Sequence, residues 1–170
     1  MITTSVLKDL YRHMEWGDAT IWRSVMSTSG MAEDPAVKER LFHIHFTQFA
    51  FFAAWIGQKF ERKKSADFGS LEEVLAWAKG NYPEIILFLD ALEDEQLNDP
   101  LPLPWAGFFG RQLGREVAVT TLGETMLQLS NHSIHHRAQV NTQIREHGGE
   151  PPLIDYIVWL WSGRPAAEWI

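Results

Sequence analysis

The sequence predicts an all-α protein built on a four-helix bundle, and three observations support this fold class. Four long stretches carry apolar residues at helical spacing, turn-forming residues separate them, and no series of strand patterns occurs. The chain has 170 residues, of which 45% are hydrophobic and 22% charged, the mix of a soluble globular protein. We therefore expect a single domain over residues 1–170, with a long loop before the fourth long helix and a short C-terminal helix.

The first two helices are predicted from apolar periodicity and from their end signals. The first runs from about Val6 to Met26, where apolar residues recur with a period of roughly 3.6. The second begins at Asp34-Pro35, because an N-cap acceptor is followed by proline at the first helical position. It continues to about Phe60, and its middle is apolar almost all round, as in a helix buried on several sides.

The third helix begins at Ser70, where Ser70 and Glu73 have the spacing of a capping box. It runs to about Leu92 with Pro83 inside it. Proline removes one backbone hydrogen bond of a helix, so a kink or break is expected over residues 80–82.

The stretch 98–115 separates the third and fourth long helices and contains three prolines and three glycines. We expect no regular helix there, and instead a long loop, of the kind that often lines a site, with a short extended pair. Thr121 and Glu124 form a second capping box, and the fourth helix runs to about Glu146, before two glycines. The final apolar piece, 153–161, predicts a short helix packed across the bundle.

Composition excludes several classes of protein. The chain has no cysteine, so disulfides, thiolate metal sites and a cysteine nucleophile are excluded, and any metal must be bound by His, Asp or Glu. Its 15 basic and 22 acidic residues give a net charge of −7, which argues against a nucleic-acid partner. The N-terminus lacks a signal-peptide pattern, and the longest apolar run, Phe49 to Ile56, is far shorter than the ~20 residues of a membrane span. We expect a cytoplasmic protein with no membrane partner.

Two histidines of the fourth helix form the most informative pattern. His132 and His136 are four residues apart, so their side chains leave one helix face about one turn apart. Two imidazoles at this spacing can bind one Zn²⁺ or a similar ion. His135 lies about 100° around the helix and cannot join them easily. The alternative is that these histidines are ordinary core or surface residues, since such pairs also arise by chance.

A third ligand must come from another helix, and the second helix offers His43 and His45. These are about 200° apart around the helix, so at most one faces the bundle interior at a given point. The face of His43 carries the small residues Thr47, Ala50 and Ala54, which would leave a cavity. The face of His45 carries large packing groups, so His43 is the predicted ligand. The remaining histidines, His13, His45, His135 and His147, are predicted to be structural or surface residues.

The ordered motifs resemble the DinB family of bacterial proteins. The resemblance is carried by Leu41-x-His-Ile-His-x-x-Gln48, then Asn131-His-x-x-x-His-Arg-x-Gln139, and then a Gly-Gly-x-Pro-Pro-x-x-Asp segment ending at Asp155. The segment Tyr11 to Trp16 resembles the family's first helix, and the likeness covers about residues 5–161. Ala138 departs from the glycine that many relatives have between Arg and Gln.

This resemblance implies a four-helix bundle that holds one divalent metal ion, Zn or Ni first, on His43, His132 and His136. Relatives include transferases and isomerases in which the metal activates a low-molecular-weight thiol, so the first hypothesis is a metal-dependent S-transferase acting on a small-molecule substrate, with a hydrolase as a variant. No residue is identified as a general base, and Arg137 and Gln139 are either pocket groups or ordinary helix residues.

The alternative is a non-catalytic metal-binding or stress-response protein with a structural ion. A ferritin-like di-iron site is disfavoured, because its Glu-x-x-His pairs are absent from these helices.

Oligomeric state is predicted from aromatic content and from the same resemblance. Eight tryptophans and ten phenylalanines are many for this length, and three tryptophans, Trp159, Trp161 and Trp169, lie near the end. Aromatic residues are enriched at protein interfaces, so we expect a homodimer. The alternative is that these residues belong to the core of one chain.

Overall fold

The computed structural model describes residues 2–170 and has seven α-helices within them. Their bounds are α1 Thr4–Ser27, α2 Pro35–Trp55, α3 Leu71–Lys79, α4 Tyr82–Asp90, α5 Ala106–Leu113, α6 Leu122–Glu146 and α7 Tyr156–Trp161. Short 3₁₀ turns cover Ser65–Asp67 and Asp94–Asn98, and two-residue strands β1 Pro100–Leu101 and β2 Thr120–Thr121 pair antiparallel. The predicted all-α bundle is confirmed: α1, α2, the α3–α4 pair and α6 are its four long members.

Side-chain caps fix where the long helices begin. The Thr3 hydroxyl accepts from the Val6 amide at the start of α1, and the Asp34 carboxylate accepts from the Ala36 amide at the start of α2. Thr121 and Glu124 form the predicted capping box of α6. Each cap satisfies an amide that the first helical turn leaves without a partner.

The third bundle member is broken, as the proline predicts. α3 ends at Lys79 and α4 begins at Tyr82, with Pro83 in the first turn of α4. Proline is tolerated there because the amides of the first turn have no intrahelical acceptor. α3 packs against α2, whereas α4 packs against α1.

Two sequence predictions about helix extent are wrong. α2 ends at Trp55 and not near Phe60, because Gly57 takes a left-handed conformation with φ of +65° and ends the helix. The stretch 98–115 contains a regular helix, α5, although the short extended pair beside it is confirmed. The prolines all precede α5, and a glycine within a helix costs only about 1 kcal/mol relative to alanine.

The core consists of two clusters of buried apolar residues, and α6 packs along both α1 and α2. Trp159 of α7 is 1% exposed, and its ring lies close to that of His13 in α1. Trp169 also packs against the core, whereas Trp161 is 79% exposed. Of the three C-terminal tryptophans behind the homodimer prediction, Trp161 therefore remains as a surface group.

Within residues 2–170, none of the helices is both long enough and apolar enough to cross a membrane.

Candidate metal centre

Three histidines from two helices converge at one point between α2 and α6. His43 of α2 and His132 and His136 of α6 each offer a ring nitrogen, and these nitrogens all lie within 4.8 Å of one another. The Nε2 atoms of His43 and His132 are 3.2 Å apart. The sequence-predicted ligands are thus together in space, although His43 and His132 are separated by 89 residues of chain.

Helix geometry explains how α6 presents two of the rings. Residues four apart on an α-helix project from the same face, and the ring centroids of His132 and His136 are 4.3 Å apart. The His43 ring approaches both, with centroid distances of 5.2 Å to His132 and 4.5 Å to His136. His136 is buried, while His43 and His132 are partly exposed, so the group is partly accessible to solvent.

The surroundings favour the neutral form of all three imidazoles. Burial lowers the pKa of His132 to about 4, and the neighbouring His136 and His43 rings add to the shift. Burial also lowers the pKa of His43, followed by the effect of His136 and of the Arg40 charge. For His136 burial again lowers the pKa, and Arg40 acts in the same direction. A neutral imidazole is the form that binds a metal ion.

Gln139 selects the tautomer of His136. The His136 Nδ1 atom lies 2.7 Å from Gln139 Oε1, and Gln139 Nε2 lies 3.2 Å from His135 Nε2. The amide group can donate only from its nitrogen, so its oxygen accepts from Nδ1–H of His136. This leaves the lone pair of His136 Nε2 free. Metal-bound histidines commonly have this arrangement, in which one ring nitrogen binds the metal and the other donates to a nearby acceptor.

Arg40 adds a positive charge beside the group. Its Nη1 atom lies 3.3 Å from His136 Nδ1. Because that nitrogen already donates to Gln139 at the shorter distance, the Arg40 contact is a charge next to a ring and not a second hydrogen bond. Arg40 was not singled out by the sequence analysis, and its position three residues before His43, on the same helix face, was the available signal.

The other candidate histidines lie elsewhere. His45 is 1% exposed and bonds to Trp22 and Gln48, so neither ring nitrogen is available to the group. His135 is exposed and accepts from Gln139. Arg137, considered as a pocket group, points into the core, where its guanidinium pairs with Asp18.

The donor set fits one divalent ion. Zinc binds imidazole nitrogen at ~2.0–2.1 Å, which makes the edge of a ligand tetrahedron ~3.3–3.4 Å. The 3.2 Å between the Nε2 atoms of His43 and His132 is close to that edge. At this distance an N–H···N hydrogen bond or a shared cation can each join the two nitrogens, so the spacing is compatible with a bound ion.

The family model described as the DinB superfamily matches residues 28–140, two thirds of the chain. The chain belongs to the DinB superfamily. The matched range extends from the end of α1 into α6 and includes all three histidines. No curated protein is significantly similar to this DinB-superfamily chain.

Proposed function

We propose that this DinB-superfamily protein binds one divalent metal ion through His43, His132 and His136 and uses it to activate a small-molecule thiol for transfer to an electrophilic substrate. The observation that carries the proposal is the convergence of three imidazoles on a partly exposed point. Structural zinc sites are usually closed by four protein ligands, whereas catalytic sites combine three protein ligands with an open position.

The bound ion would supply acidity, because a thiol or a water molecule coordinated to a divalent cation loses its proton near neutral pH. The chain itself has no cysteine, so the thiol must come from outside. Three neutral ligands leave the charge of the ion uncompensated, which favours an anionic ligand at the open position.

The residues around the histidines have separate parts in this scheme. Gln139 holds the ring of His136 in the tautomer whose Nε2 lone pair is free to bind the ion. Arg40 contributes a second positive charge on the same side of α2. Together they favour a thiolate, or an electrophile that carries a carboxylate, over a neutral ligand.

The first measurement is the metal content of protein purified without added metal, by mass spectrometry. Protein loaded with Co²⁺ is then titrated with cysteine and with 2-mercaptoethanol. A new thiolate-to-cobalt absorption band is expected, followed by thiol-dependent consumption of a reactive electrophile such as monobromobimane.

Two alanine variants separate specific binding from adventitious binding. His132→Ala should lose both the cobalt spectrum and the thiol response. His135→Ala removes an exposed histidine three residues further along the same helix and should keep both. A cobalt spectrum that no thiol perturbs, with no electrophile consumed, would instead support the alternative of a non-catalytic protein whose ion joins α2 to α6. Loading with zinc and testing ester hydrolysis would examine the water-activating variant.

A further inference from the structure

A second group of polar side chains lies buried where α1, α2, α4 and α6 meet. Its members are at most 2% exposed: Asp18, His45, Gln48, Tyr82, Ser133 and Arg137. Charged side chains are rarely buried to this extent unless they are paired. We call this group the core polar network.

The Asp18 carboxylate joins three other helices. Arg137 of α6 donates from Nη1 to Asp18 Oδ1 at 2.7 Å and to the Met14 carbonyl at 3.2 Å. Gln48 of α2 donates from Nε2 to Asp18 Oδ2 at 2.7 Å, and the Tyr82 hydroxyl of α4 donates to the same oxygen. Burial alone would raise the pKa of Asp18, but the Arg137 charge lowers it overall, so the carboxylate stays ionised.

The same network continues along α2 towards Trp22 of α1. Trp22 Nε1 donates to His45 Nε2 at 2.8 Å, so His45 carries its proton on Nδ1 and donates to Gln48 Oε1 at 2.8 Å. Gln48 Nε2 also lies 3.3 Å from the Ser133 hydroxyl of α6. Gln48 therefore connects α2 to both α1 and α6.

The backbone of α1 leaves room for the Arg137 guanidinium. A Cβ atom on Gly17 would lie 3.2 Å from Arg137 Cζ and 3.3 Å from Arg137 Nε. Glycine at position 17 lets the charged group lie directly against the helix.

The network is adjacent in sequence to all three ligands. Ser133 and Arg137 each follow a ligand of α6 by one residue, and His45 follows His43 by two. A helix rises 1.5 Å and turns about 100° per residue, so a slip of one residue would separate Nε2 atoms that are 3.2 Å apart. The network therefore lies within two residues of each ligand, and the position of each ligand depends on helix register.

We propose that Asp18, Arg137 and Gln48 are positioning residues that set the register of α6 against α1 and α2 and thereby hold the three histidines together, an inference that rests on the proposed metal site. Stability alone does not account for a buried ion pair, since apolar replacements are often neutral or stabilising, whereas setting register is a well-attested use of buried polar groups.

The principal test is the double variant Asp18→Asn/Arg137→Met. It removes both charges together, and the amide of the new residue 18 still accepts from Gln48 and Tyr82. Circular dichroism should show an intact helical fold. The Co²⁺ dissociation constant should rise at least about tenfold, the lower range for loss of an outer-shell partner, and the visible cobalt spectrum should change shape. Arg137→Lys, which keeps the charge, should recover most of the affinity.

The matched control is Leu89→Ala, which truncates a fully buried side chain of α4 outside the network. It should lower the melting temperature yet leave the cobalt affinity and spectrum unchanged. If the double variant fails to fold, Gly17→Ala replaces it, because the new methyl group crowds the guanidinium while both charges remain. Weaker cobalt binding with a changed spectrum is expected for that variant too.

A folded variant with wild-type cobalt affinity and spectrum would overturn the proposal. A metal-free crystal structure of the double variant gives an independent readout: the His43–His132 Nε2 distance should depart from 3.2 Å, and an unchanged distance would contradict the positioning role. If wild-type protein binds no cobalt, the proposed metal site fails. The crystal structure of the double variant would still decide whether the network sets the register of α6.

Discussion

Metal-dependent thermal stability is the most direct consequence of a site that joins α2 to α6. The unfolded chain can offer the His132–His136 pair only weakly, and His43 lies 89 residues from His132. An ion therefore binds the folded state preferentially, and free metal at 100 times its dissociation constant stabilises that state by about 2.7 kcal/mol. For a chain of this size each kcal/mol raises Tm by about 2–4 °C, so a rise of about 5–11 °C is expected.

Replacing His132 by alanine should abolish this rise without damaging the metal-free fold. The ring is partly exposed, and among residues 2–170 its one side-chain contact at hydrogen-bonding distance is with His43. His135→Ala is the matched control, because it removes an exposed imidazole three residues after His132 on the same helix. Its Tm should rise with metal as far as that of the wild type.

The assay is differential scanning fluorimetry of chelator-stripped protein, titrated separately with Zn²⁺, Ni²⁺ and Co²⁺. Equal increments in wild type and His132→Ala would show that the stabilising ion binds elsewhere. No increment with any of the three ions would refute the site itself.

Two further predictions concern single side chains. His13 is buried, and its Nδ1 has no hydrogen-bond partner within the described residues 2–170. Burial lowers its pKa, so as pH falls below about 6.5 the imidazole binds a proton in the unfolded chain before it does so in the folded chain. The free energy of unfolding should therefore decrease over that pH range, and it should decrease less in His13→Gln. Urea unfolding of the metal-free proteins at several pH values tests this. If the free energy of unfolding fell with pH at the same slope in both proteins, the prediction would be contradicted. Gln139→Leu should raise the metal dissociation constant about 10–100-fold, because the Nδ1–H of His136 loses its acceptor. Calorimetric titration measures the constant, and an unchanged value would show that Gln139 does not orient the ring.

Local signals in the sequence were enough to predict the long helices. Caps at Asp34 and Thr121 and the proline at position 83 act within a few residues, so their effects are visible without tertiary information. The sequence did not predict α5, because its glycines indicate a loop, although a glycine destabilises a helix far less than a proline does. The end of α2 depends on the left-handed Gly57, a conformation that glycine allows but does not require.

The residues around the histidines were less predictable than the histidines themselves. The choice of His43 over His45 followed from helix faces, a short-range property. The pairing of Asp18 with Arg137 joins positions 119 residues apart, so one sequence alone could not establish it. A signal was nevertheless present: Asp18 lies four residues after Met14 and three before Ile21, on the apolar stripe of α1. A carboxylate in such a position requires a buried partner.

The contribution of α1 to the site follows from where its polar residues lie. The range matched by the DinB superfamily begins at residue 28 and includes every histidine of the group, yet Asp18 lies before it. A fragment beginning at residue 28 would keep the three ligands but would lack α1, and with it the Met14 and Asp18 oxygens to which Arg137 donates. It would also lack the surface of α1 that packs against α6, so nothing from α1 would hold α6 in place beside α2. On the proposals made above, the metal centre depends on three helices, two that supply the ligands and one that holds them in register.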